Sequence, residues 1–287
     1  MASATTDNIP EPVISDGIDY WNTQPASLDG VLGGYGTGTL PRVDALGSRQ
    51  FLLHLLPELS TVPSAIRPLA PAPRQHRTRA IDVGAGIGRV TATVLLYLVE
   101  DVVLLEPVES FIQEAYAAGL ASASEAGPKA PASRWKGIKD STKSVSFLQG
   151  TLQAFELSSP LTSSKVVGRV GYAGPQPMSD INDKLDVAWC QWCLGHLSDV
   201  DLVAFFRKCR AALREGGRSL IVVKENLCRD TDDGGPRTVF DDQDSSLTRS
   251  DLAWKKVFQD AGLKLIKEQT QEGLPEGLYE VKMYALR

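Results

Sequence analysis

Ile81-Asp82-Val83-Gly84-Ala85-Gly86-Ile87-Gly88-Arg89 constrains the fold more than any other stretch. An apolar run reaches an acidic residue, meets glycine at every second position, then continues with helical character. Glycine lets the backbone turn sharply and lets a ligand approach it closely. Between a strand and a helix, such a turn makes a platform for an adenine-containing cofactor. A turn whose glycines serve packing alone is the plainer alternative. The dinucleotide fingerprint Gly-x-Gly-x-x-Gly asks for its third glycine at position 89, which is Arg89.

Strand and helix patterns alternate around this turn. The apolar runs predict strands over 80–83, 102–105, 145–148, 185–189 and 219–223, with a closing pair over 263–268 and 279–286. Helices are expected over 89–98, 110–118, 200–213 and 251–261. Such alternation implies a mostly parallel sheet with helices on both faces and a ligand beyond the carboxyl ends of the strands. Residues 1–17 read as a disordered tail. Residues 18–60 hold Tyr20-Trp21, a glycine-rich loop through Gly36 and a helical pattern, and 61–78 form a Pro-rich linker. The main domain then spans 79–287, with inserted surface loops near 119–143 and 158–183 and an acidic loop over 229–247.

The 287 residues are 43% hydrophobic, enough for one large α/β core. A net charge of −5 argues against a nucleic-acid partner and permits a cationic substrate. No apolar run approaches the length of a membrane span, and the first residues lack the pattern of a secretory signal. Four cysteines make no disulfide framework, so cytosol or nucleus is the expected compartment.

Polar residues gather at the predicted strand ends. Glu106 closes the second strand, about 20 residues past the glycine turn, where an acid accepts ribose hydroxyls. Trp189-Cys190-Gln191-Trp192-Cys193-Leu194-Gly195-His196 follows the fourth. Trp192 offers an aromatic wall to a cation, and His196 titrates near neutral pH. Cys190 and Cys193 lack the second pair that a zinc site needs, and no metal is expected. Lys224-Glu225-Asn226 ends the fifth strand. Asp241-Asp242-Gln243-Asp244-Ser245-Ser246 fails the calcium-loop pattern, leaving a solvated acidic loop or a cation-binding mouth.

Asp82-x-Gly84-x-Gly86-x-Gly88 resembles the first motif of S-adenosylmethionine-dependent methyltransferases. Together with Tyr20-Trp21, Asp29-Gly30-Val31-Leu32-Gly33-Gly34-Tyr35-Gly36, Gln191-Trp192-x-x-Gly195-His196-Leu197, Lys224-Glu225-Asn226 and Asp241-Asp242-x-Asp244-Ser245-Ser246, it is similar to the protein α-N-terminal methyltransferases from about residue 18 to the end. The resemblance implies an α/β fold: a Rossmann-like, seven-stranded class I methyltransferase sheet with an N-terminal helical and loop lid. It implies methylation of the free α-amine of proteins that begin Xaa-Pro-Lys or Xaa-Pro-Arg. A small-molecule N-methyltransferase is the alternative. S-adenosylmethionine would meet Asp82, Gly84, Gly86, Arg89, Glu106, Pro107, Val108, Leu152, Gln153 and Gln191. The peptide would meet Trp21, Leu32, Gly33, Trp192, Asn226, Asp241, Asp244, Ser246 and Tyr279. His196 and Asp244 would accept the proton, and Asn226 would hold the first carbonyl. The expected partners are protein N-termini, with no nucleic acid, no membrane and a monomeric state. Glu106 and Glu225 depart from the family's usual aspartates.

Overall fold

The computed structural model describes residues 9–60, 76–127, 134–175, 178–214, 216 and 218–287. Its elements run α1 (Ile14–Thr23), α2 (Leu40–Leu55), β1 (Arg79–Val83), α3 (Arg89–Thr93), β2 (Asp101–Glu106), α4 (Glu109–Ala123), β3 (Ser144–Gln149), α5 (Pro160–Ser163), β4 (Lys165–Gly171), β5 (Val187–Gln191), α6 (Asp199–Ala212), β6 (Leu220–Cys228), β7 (Thr238–Asp241), β8 (Ser246–Ser250), α7 (Asp251–Asp260), β9 (Leu265–Thr270) and β10 (Glu280–Leu286).

The strands join in one sheet of order β4-β3-β2-β1-β5-β6-β10-β9, with the β7–β8 hairpin attached to β6. β1, β2, β3, β5 and β6 pair in parallel, while β10 runs antiparallel between β6 and β9. The sheet thus has ten strands, where seven are expected from the sequence. The seven are its centre. β4 adds an antiparallel edge to β3. It comes from the 158–183 stretch, where Val166, Val167 and Val170 supply β-branched residues amid loop-like composition. β7 and β8 come from the expected acidic loop, where strands of four and five residues are too short to show alternation.

Strand periodicity sorts the core into two layers. Ile81, Val83, Val103 and Leu105 pack with Leu202, Phe205 and Phe206 of α6 and Trp254, Val257 and Phe258 of α7. Ala80, Val102 and Leu104 pack with Phe51 and Leu52 of α2, Val90 of α3, and Ile112 and Ala115 of α4. Ser198 and Ser250 start α6 and α7 by accepting from the backbone N–H of Asp201 and Ala253. α3 stops at Thr93 and gives way to a tighter turn over Leu95–Tyr97, so the single helix expected over 89–98 is broken. β-branched Val90, Thr91, Thr93 and Val94 disfavour a longer helix. α1 begins at Ile14, inside the stretch read as a tail, and α4 runs to Ala123, inside the first expected insertion. Most of the Pro-rich linker (61–75), the first eight residues and 128–133 lie outside the described residues. Among those described, no helix is long and apolar enough to cross a membrane.

Two buried carboxylates pin the strand ends that carry polar loops. Asp82 on β1 accepts from the backbone N–H and hydroxyl of Thr91, at 2.9 and 2.7 Å, and so fixes α3 against the sheet. Glu225 on β6 accepts from the backbone N–H groups of Cys193 and Leu194, both at 3.0 Å, and fixes the loop after β5. Burial pushes Asp82 up to about 6 and Glu225 up to about 7, against those hydrogen bonds. A raised carboxyl contributes stability that is complete below its unfolded value and is lost as pH rises through the folded one. Glu225→Gln keeps an acceptor for both N–H groups and removes the charge. Relative to the natural chain, E225Q should therefore gain about 3 kcal/mol between pH 5 and pH 8. Denaturant unfolding of both proteins at the two pH values measures this, and a pH-independent difference contradicts it.

Candidate active site

The glycine turn opens onto a cleft of about 970 Å³ at the carboxyl ends of β1, β2 and β5. Gly84, Gly86 and Gly88 all hold φ between 56° and 77°, which favours glycine. They do different work. A Cβ on Gly84 would lie 2.3 Å from the Cys193 Cβ, and one on Gly88 would lie 2.8 Å from the Trp135 ring. Those two glycines allow close packing. A Cβ on Gly86 would meet only Val31, at 3.6 Å, so Gly86 leaves room for a ligand. The motif thus has two packing glycines and one that faces open space.

Asp82, Gly84, Gly86, Arg89, Glu106, Pro107, Val108, Leu152, Gln153 and Gln191 all line this cleft. The Glu106 carboxylate accepts from Gly86 N at 2.7 Å and Val108 N at 2.8 Å, and burial pushes it up to about 7. Each oxygen keeps a lone pair for a further donor. Arg89 pairs with Asp44 of α2 and stacks over Trp192 at 5.2 Å. The Gln191 side chain is engaged at both ends: its amide nitrogen donates to Asp44 at 2.9 Å and its oxygen accepts from Trp189 at 3.1 Å. Gln153 donates to the His196 carbonyl at 3.0 Å. An acid for hydroxyls, a guanidinium in the cleft wall and apolar walls from Val108, Phe111 and Leu152 suit S-adenosylmethionine.

A second cleft of about 1060 Å³ adjoins the first and shares Trp21, Val31, Trp192 and His196 as its wall. Leu32, Asn226, Asp244, Ser246 and Tyr279 line it, so the structure brings together most of the expected substrate residues. Gly33 and Asp241 lie outside both linings. Gly33 ends a tight turn at φ 57° with open space around it. Asp241 is exposed, and its carboxylate accepts from Gln243 N at 2.9 Å. It stands in register opposite Ser246 across the hairpin, at the rim.

The junction of the clefts is the most constrained part of the molecule. Trp192 takes φ 54°, a conformation that costs a bulky residue about 1–3 kcal/mol. Its backbone N–H is held by the Lys224 carbonyl at 3.1 Å. Arg249 of β8 donates to the Leu197 carbonyl at 2.7 Å and steadies the turn that carries His196. The Trp21 indole donates to His196 Nε2 at 3.0 Å. A neutral ring then carries its proton on Nδ1. Burial lowers the His196 imidazole below its usual value, while Asp244 pulls it upward. Among the described residues, His196 Nδ1, one Asp244 oxygen and Trp192 Nε1 are buried with no hydrogen-bond partner. Orphaned buried polar atoms cost about 1–3 kcal/mol each, and a ligand group placed among them recovers that cost.

The roles expected of His196 and Asp244 meet one geometric constraint: the ring nitrogen of His196 that could accept is already taken by Trp21. The sequence reading expects an N-terminal lid over 18–60 but names none of Ile14, Gly17, Ile18 or Phe111 as facing the first cleft. Ile14, Gly17 and Ile18 of α1 line it, together with Phe111. The period of Ile14, Gly17, Ile18 and Trp21 is the signal for this face. Asp44, the buried partner of Arg89 and Gln191, is hidden inside an ordinary amphipathic helix pattern.

The sequence profile of the AdoMet dependent proline di-methyltransferases matches residues 10–142 and 145–287. Alpha N-terminal protein methyltransferase 1 of Schizosaccharomyces pombe is 35% identical over 277 residues, covering 96% of this chain and 97% of its own. Human N-terminal Xaa-Pro-Lys N-methyltransferase 1 is 31% identical over 269 residues, covering 93% and 92%. A solved SAM-dependent methyltransferase from Leishmania major superposes with a TM-score of 0.63 at 30% identity, covering 95% of this chain and 82% of that one. Matched along nearly its whole length, the chain belongs to this family of AdoMet-dependent α-N-terminal protein methyltransferases.

Proposed function

We propose that this protein methylates the free α-amine of polypeptides that begin Xaa-Pro-Lys or Xaa-Pro-Arg after loss of the initiator methionine. The observation that carries the reading is the junction, where two clefts meet beside His196, Asp244, Trp21 and Trp192, and where the Trp192 indole N–H, His196 Nδ1 and one Asp244 oxygen are unsatisfied. Bound S-adenosylmethionine supplies an electrophilic methyl group. Arg89 would hold its carboxylate, Glu106 its ribose hydroxyls, and Val108 and Leu152 the faces of its base.

The protein's own part is to present a nitrogen lone pair. An α-amine has a pKa near ~8 and is mostly protonated at neutral pH. Asp244, placed by the hairpin tip, takes that proton. His196, fixed by Trp21, keeps its Nδ1 proton, and it becomes a second acceptor when the indole lets go. Asn226 donates its amide to the first carbonyl. Leu32 and Trp192 give the proline an apolar slot. The third side chain reaches the rim, where Asp241 and Ser246 meet its charge.

Burial separates the two aspartates in magnitude. Asp244→Asn should cut kcat by about 10²–10⁴-fold and leave peptide Kd near its natural value. An unchanged kcat contradicts the assignment. Asp241 is exposed, and an exposed ion pair contributes about 0.2–1 kcal/mol. Asp241→Ala should therefore lower the preference for Xaa-Pro-Lys over Xaa-Pro-Gln only a few-fold, read from kcat/KM on paired peptides. For the reaction itself, labelled S-adenosylmethionine should mark a Ser-Pro-Lys peptide and leave its N-acetylated twin unlabelled. Label on neither, with a labelled small amine instead, would support the small-molecule alternative.

A further inference from the structure

Behind the junction lies a chain of buried contacts that touches both clefts and lines neither. Asp44 of α2 and Lys224 of β6 are both 0% exposed and pair at 2.6 Å. On one side, Asp44 holds Arg89 and Gln191, both in the wall of the first cleft. On the other, Lys224 donates to Ser48 at 3.0 Å and to the Gln271 side-chain oxygen at 2.8 Å. Gln271 begins the loop that brings Leu274, Leu278 and Tyr279 to the mouth of the second cleft. Its backbone N–H closes that loop onto Val281 at 2.7 Å.

Local packing shows that this reach is built in. A Cβ on Gly47 would lie 2.2 Å from the Gln271 side-chain oxygen, so α2 carries a glycine where the carboxamide passes to Lys224. Glycine inside a helix costs about 1 kcal/mol relative to alanine. The ion pairs are unequal as well. Arg89 and Lys224 share one paired carboxylate, Asp44, and Arg89 also lines the first cleft.

We propose that the Asp44–Lys224 pair couples the clefts: an anionic group on Arg89 balances this cluster, and the steadied Lys224 holds the Gln271 loop in the shape that grips a peptide. Asp44, Lys224 and Gln271 are positioning residues in this account. The peptide as second ligand rests on the N-terminal methylation reading; the coupling itself does not.

The experiment uses the full chain with S-adenosylhomocysteine and a Ser-Pro-Lys peptide. Hydrogen exchange of the 271–279 amides should slow on adding S-adenosylhomocysteine to the natural protein, and should not slow in Gln271→Met. No slowing in the natural protein, or equal slowing in the variant, overturns the proposal. Calorimetry gives the second readout. S-adenosylhomocysteine should tighten peptide binding at least about fivefold in the natural protein and about onefold in Q271M. Its own Kd should stay within about twofold in the variant, which separates lost coupling from lost folding. A ratio retained in Q271M overturns the proposal. A peptide that never binds removes the methylation reading and leaves the exchange result to decide the coupling.

Discussion

A lysine and an aspartate with no contact to water hold this site together. Removing two charges from solvent costs several kcal/mol each, and a lone pair seldom recovers that much. Here the carboxylate also accepts from Arg89 and Gln191, and the ammonium also donates to Ser48 and Gln271. Arg89 and Lys224 together hold the Asp44 carboxyl below its usual range although burial pushes it the other way. The pair fastens α2 to β6, and through its branches it sets the directions of Arg89 and Gln191. Removing one partner would leave the other as an uncompensated buried charge, which typically costs about 3–5 kcal/mol.

Around this pair the sheet divides its labour. Parallel strands end together at one edge, and the order reverses beside β1, so the loops after β1, β2 and β5 splay apart and leave a crevice. One half is walled by the loops of the parallel strands. The other is completed by parts outside the parallel core: the β7–β8 hairpin, the loop before β10 and the turn near Leu32. On the proposed reading, peripheral pieces are what fit a common sheet to a protein substrate.

Legibility in the sequence followed the range of the forces involved. The glycine turn, the buried strands and the capped helices are dictated by neighbours a few residues apart, and all stand out in the chain. Glu106, Asn226 and Asp244 are placed because motif residues gather at strand ends. Asp44 is not visible, because its partners lie 45, 147 and 180 residues away. β4 and the hairpin are equally hidden, since their pairing depends on an exposed edge that only the finished sheet creates. The engagement of His196 Nε2 by Trp21 joins positions 175 apart and reverses what the imidazole offers.

α1 lies over the first cleft with Gly17 against His196 and Asp244: a Cβ there would come within 3.0 Å of His196 Nδ1 and 3.3 Å of the Asp244 backbone carbonyl. Its near end is tied to the hairpin by a bond from Val13 N to the Ser245 hydroxyl, at 2.8 Å. The helix that covers the first cleft is thereby fastened to the hairpin that carries Asp244, so any displacement of α1 would also loosen one wall of the second cleft.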